Sequence, residues 1–226
     1  MEVAVMQQDI PKMCADSLRT FTKEKLNIKL KAAHAHELVA SYFGYPSKNA
    51  MLADTEYSIN SFQKAKIVIM APDSYIDERR KNLQGLSAEL PNSYMLGESV
   101  YAPLLSDEFW SSKYPPFRSF EKAAKYLATN NHSFQSVFQF YQDVPLHHLV
   151  SLKAEKRKVV LSVVHATKNT NGDMVGNGKT IIELQRIAGH IGFGEPQIHL
   201  EKWTGGARRN LELIKGTSDM YSWGGQ

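Results

Sequence analysis

Gly44 and Pro46 stand two residues apart in SYFGYPSKN and constrain most tightly what the first third of this chain can become. A glycine at the end of an amphipathic run supplies the left-handed conformation that closes a helix, and a proline just beyond forbids its continuation. The run before them, about 29–43, places Leu30, Leu38, Val39, Tyr42 and Phe43 on one apolar stripe, so it reads as a helix. Ser47 then stands where it can N-cap a short third helix through about Asp54. Upstream, Met13, Leu18, Phe21 and Leu26 recur at helical spacing from Pro11, which suits a first turn, and Asn27 and Ile28 interrupt. Three helices thus account for roughly the first 55 residues.

The texture changes after Ser58. AKIVIMAP (65–72) is a compact β-branched run of the kind that fills a buried strand, and PDS directly after it offers a helix N-cap. The next helix, about 75–86, turns Ile76, Leu83 and Leu86 inward and DERRK outward. Pro91, Gly97, Pro103, Pro115 and Pro116 leave room for one short helix at about 94–105. Phe120, Ala123, Ala124 and Leu127 predict another over 119–129, with Ser119 as its cap. The last third is β-rich: strands are expected at 134–140, 158–166, 180–188 and 196–203, with TKNTNGDMVGNGK (167–179) as a long hairpin loop. The expected fold class is α+β, with an N-terminal three-helix module over 1–57 and a mixed domain over 58–226 whose C-terminal part is a largely antiparallel sheet.

The totals bound the function class. With 226 residues, 42% hydrophobic and 22% charged, the chain can bury a core unaided and has the balance of an ordinary globular protein. No apolar run reaches the roughly 20 residues that cross a bilayer, so no membrane partner and a cytoplasmic location are expected. The lone Cys14 closes no internal disulfide and reads as a small buried apolar residue. Lys and Arg number 7 against 5 acidic residues over 1–50, 9 against 11 over 51–150, and 11 against 7 over 151–226, so both ends are basic.

HELVASYFGYPSKNAMLADT (36–55) matches the pattern of the DNA-binding helix-turn-helix. Ala40 is small where two helices must cross, Gly44 supplies the turn, and Val39, Phe43, Tyr45, Ala50 and Ala53 occupy the apolar positions. In that reading the second helix presents Ser47, Lys48, Asn49, Met51, Leu52 and Thr55 outward, Lys48 toward a phosphate and Asn49 toward adenine. Met51 and Leu52 fit a DNA groove badly and fit a protein partner better. Residues 30–54 also resemble a small helical module, usually labelled glyoxalase-related, of bacterial plasmid and mobile-element proteins. That resemblance implies a helical accessory module and no established activity.

Other signals are weaker. His34 and His36 of HAHE face opposite sides of a helix and cannot clamp one metal; His147 and His148 diverge, and His165 and His199 fall on different strands, so no metal or cofactor is expected. GDMVGNGKT has five residues between Gly172 and Gly178-Lys179-Thr180, one too many for a phosphate loop. Lys156, Arg157 and Lys158 in KAEKRK, with Lys202, Trp203, Arg208 and Arg209 in KWTGGARR, form basic patches suited to phosphate and base contact or to guarding a sheet edge. The leading expectation is therefore a non-enzymatic bacterial or mobile-element accessory protein that binds nucleic acid, duplex DNA foremost. Its rival is an adaptor or inhibitor that binds another protein through Met51 and Leu52. An enzyme with a site assembled only in the fold comes third, because no catalytic residue can be named from spacing.

Overall fold

The computed structural model describes residues 9–130, 147–168, 170, 172 and 174–202. The fold is α+β, with the described helices preceding the antiparallel strands apart from one two-residue strand, Ile67–Val68. Two compact units are present: residues up to Pro116 with Arg186–Gly194 form a helical unit, and Phe117–Gln185 with the described residues from Glu195 onward form a sheet unit.

In the helical unit, α1 (Ile10–Leu26) begins where the Lys12 N–H donates to the Asp9 carboxylate, and ends at Asn27 in the left-handed region. Ile10, Cys14 and Leu18, four residues apart, are buried against α2 (Ala32–Tyr42), which sends Ala35, Leu38, Val39 and Tyr42 inward. Burial also pushes the Cys14 thiol far above its ordinary value, so it is packed and inert. Gly44 ends α2 at φ 83°, as its place before Pro46 predicts. Then Ser47 caps α3 (Lys48–Ala53), its Oγ accepting from the Ala50 N–H at 3.1 Å.

These three helices do not close a core by themselves. Phe62 of a 3-10 helix (Ile59–Lys64), Val68 of β1 (Ile67–Val68), Leu96 and Val100 of α5 (Ser93–Tyr101), Trp110 and Ile191 share it, so the boundary expected at residue 57 falls inside this unit. Gly97 lets α5 approach α2: a Cβ there would lie 3.0 Å from the Tyr42 ring. The Tyr42 hydroxyl donates to the Ser93 carbonyl at 2.6 Å. The strand expected over 65–72 shrinks to β1, which pairs antiparallel with β5 (Gly192–Phe193). Its apolar run serves burial more than pairing, since Ile67, Val68 and Ile69 are wholly enclosed. PDS supplies no side-chain cap: Pro72 holds the N-cap position of α4 (Asp73–Asn82) and Asp73 is already helical.

In the sheet unit, Ser119 caps α6 (Phe120–Thr129), whose Phe120, Ala123, Ala124 and Leu127 face inward. This helix packs on β2 (His147–Ala154) and β3 (Lys158–Lys168), an antiparallel pair in register from His147↔Ala166 to Ala154↔Val159. Next to β3 lies β4 (Met174–Ala188), whose residues from Arg186 belong to the helical unit, and β6 (Gln197–Lys202) pairs with the other side of β4. The buried face carries Val159, Leu161, Val163 and His165 from β3, and Thr180, Ile182 and Leu184 from β4.

The long loop expected over 167–179 is mostly strand. Residues 174–179 belong to β4, and the register step from His165↔Gly178 to Ala166↔Gly176 leaves Asn177 as the extra residue of a bulge. Of the two Asn-Gly steps, one marks the turn, with Gly172 at φ 84°, and the other marks the bulge. The strand expected at 134–140 lies outside the described residues, as do Trp203, Arg208 and Arg209.

Candidate functional site

The spacing 9, 12, 16 and 19 puts Asp9, Lys12, Asp16 and Arg19 on one face of α1 and its cap, with charge alternating in sign along the axis. Opposite stand His36 of α2 and Lys48, Met51 and Leu52 of α3, and the space between is a cleft of about 440 Å³. Small-molecule and side-chain pockets fall in that size range. Asp16 and Arg19 approach each other at 3.6 Å across an exposed edge, which contributes little to stability.

The α3 wall is set by local chemistry. Ser47 spends its hydroxyl on the cap, and the Glu37 carboxylate of α2 accepts from the Lys48 backbone N–H at 3.1 Å. Met51 points into the core at 3% exposure, whereas its neighbour Leu52 stands out at 58%. The outward face expected to include both therefore holds only Leu52. Met51 forms the cleft floor. Asn49 and Thr55 are exposed and do not line the cleft. Of the five apolar helix-turn-helix positions, Val39, Phe43 and Tyr45 are buried, Ala50 is half-buried and Ala53 is exposed.

His36, which the sequence offers as an ordinary helix-surface histidine, is half-buried and lines the cleft. Its Nδ1 is buried and has no hydrogen-bond partner. Burial first, and Lys48 second, lower its pKa below the ordinary histidine value, which favours a neutral ring. The buried Nδ1 is thus a ring nitrogen stripped of water with no bond in return.

The basic residues of the sheet unit are dispersed. Lys156 and Arg157 are exposed at the β2–β3 turn, while Lys158 pairs with Glu183 at 2.7 Å. On β4, Lys158 sits opposite Gln185 and Lys202 opposite Gly178. Seven residues of strand separate those positions, about 23 Å at strand rise, so Lys158 and Lys202 do not stand side by side on the sheet.

The ladder does unite two histidines that sequence spacing kept apart. His148 and His165 are direct cross-strand partners, with Nδ1 atoms 2.9 Å apart, and His165 Nε2 lies 2.9 Å from Thr180 Oγ1. Hydroxyl, imidazole and orienting group stand in the order of a nucleophile, its base and a positioning partner. The chemistry fails on access and basicity. Thr180 is 1% exposed, and burial lowers His165 to about 3. The missed signal was the KAEKRK turn: a reversal at 155–158 pairs 148 with 165, and the Glu155 N–H bonded to the Lys158 carbonyl marks it.

Among the described residues no group of three or more His, Cys, Asp and Glu could hold a metal, and no helix is long and apolar enough to cross a membrane. No family model, curated protein or solved structure matches this chain.

Proposed function

We propose that the helical unit is a protein-docking module whose α1–α2–α3 cleft receives a helical segment of another protein. The observation that carries this reading is Leu52, 58% exposed beside a cleft whose α1 wall alternates acid and base. Leu52 offers an apolar anchor, and Asp9, Lys12, Asp16 and Arg19 ask for the opposite alternation on the partner, the pattern of a helix laid in a groove. Residues 9 to 19 span about 15 Å at helical rise, so the partner segment needs about ten helical residues. Nucleic acid fits this face less well. Asp9, Asp16 and Glu37 lie beside Lys48, and acidic groups there repel a phosphate backbone.

The test places a photo-crosslinking residue at Leu52 of the full chain in native lysate, with and without nuclease. The expected result is a discrete nuclease-resistant protein adduct, weakened at least tenfold by Lys12→Glu with Arg19→Glu. Salt-sensitive binding to duplex DNA, lost in Lys48→Ala or Asn49→Ala and unaffected by the α1 reversals, would overturn the reading in favour of a nucleic-acid reader.

A further inference from the structure

Away from the cleft, the two facing imidazoles of the sheet unit are built as ligands are built. The β2–β3 ladder fixes the backbones of His148 and His165 opposite each other, and their rings meet at 80° with centroids 5.1 Å apart. Bonds of about 2.0–2.1 Å from a metal to nitrogens this close subtend about 90° at the metal, the angle between neighbouring positions of a tetragonal site and narrower than tetrahedral zinc prefers. Thr180 Oγ1, 2.9 Å from His165 Nε2, supplies the acceptor that ligating imidazoles use to hold their other N–H. His148 is half-exposed while His165 is only 2% exposed, so the His148 side is the one from which an ion would have to approach.

We propose that His148 and His165 form a two-imidazole site for a divalent transition metal, copper(II) foremost, with the remaining positions filled by water or another ligand. Without metal, one proton lies between the two Nδ1 atoms. On binding, His165 keeps Nε2–H donated to Thr180 and gives its Nδ1 lone pair. His148 moves its proton from Nδ1 to Nε2 and gives Nδ1 likewise. Two nitrogen–metal bonds form, one hydrogen bond is lost, and no proton is released overall. Among divalent ions copper binds such nitrogen sites most tightly.

Titrating the full chain with copper(II), followed by electron paramagnetic resonance, tests the site. One copper per chain is expected, with coupling to two imidazole nitrogens. His148→Ala, at a half-exposed position, should remove one nitrogen coupling and weaken binding at least tenfold. Thr180→Val should weaken it about 10- to 100-fold, with the circular dichroism unchanged. His147→Ala and His34→Ala should each bind as the parent does. Absence of binding overturns the proposal, as does binding that His148→Ala leaves intact. Unchanged affinity in a folded Thr180→Val removes Thr180 from the site.

Discussion

In the helical unit, Arg186, Asp54 and Tyr45 close on one another, whereas in the sheet unit Thr180, His165 and His148 run in a line from a fully buried hydroxyl to a half-exposed ring. Arg186 donates to Asp54 at 2.7 Å and to the Gly189 carbonyl at 2.6 Å, and stacks 4.6 Å over the Tyr57 ring. The Tyr45 hydroxyl donates to the same Asp54 oxygen at 2.8 Å, and the Tyr57 N–H takes the other at 3.1 Å. Every strong group in that knot is spent on a neighbour from the same unit. A closed knot holds chain segments together; the line joins the buried face of the sheet to a half-exposed ring.

The largest effect should come from cutting the knot. Asp54→Ala leaves the Arg186 guanidinium, only 13% exposed, without its counter-ion and is expected to cost about 3 kcal/mol. Urea unfolding of the variant checks it. A loss under about 1 kcal/mol would mean that solvent replaces the carboxylate and that the two clusters do not differ in kind.

Acid should distinguish the clusters next. Burial lowers His165 to about 3 and His190 to about 4, so both rings stay neutral in the folded protein while the unfolded chain protonates near 6.5. The unfolded state then binds more protons, and stability present above about pH 6.5 drains away toward pH 4, by about 1.4 kcal/mol per pH unit for each ring. His165→Gln and His190→Gln should each flatten the decline of the urea midpoint over that range. A decline equally steep in both variants would assign it to other groups.

The caps and helices were legible because their physics is local. Ser47 and Ser119 cap the helices they were expected to cap, and Gly44 adopts the left-handed turn its neighbours demand. Gly44→Ala, forced to φ 83°, should lower stability by about 1 kcal/mol or more, read from the same urea curves. Less legible was the facing of α3: six residues span under two turns, too few for periodicity to decide whether Met51, Leu52 or both turn outward. The His148–His165 pair was illegible for a different reason. Its register depends on a turn of charged residues without Asn-Gly or Pro, and a second register step sits at the bulge beside His165. The whole run 65–72 was read as strand, although only Ile67–Val68 form one, because an apolar β-branched run looks the same whether a sheet or a helical core encloses it.

The smallest effect tests a buried polar atom of the helical unit. His36 Nδ1 is buried without a partner, so the folded chain bears the cost of stripping it of water and recovers nothing. His36→Leu removes that cost and is expected to raise stability by about 0.5 kcal/mol. The same change should weaken the crosslink formed at position 52, because His36 lines the cleft. Stability gained together with docking lost is the signature of a group kept for a ligand rather than for the fold. A lower urea midpoint in His36→Leu would show instead that Nδ1 is satisfied in solution. The cleft would then lose its strongest internal argument for an occupant.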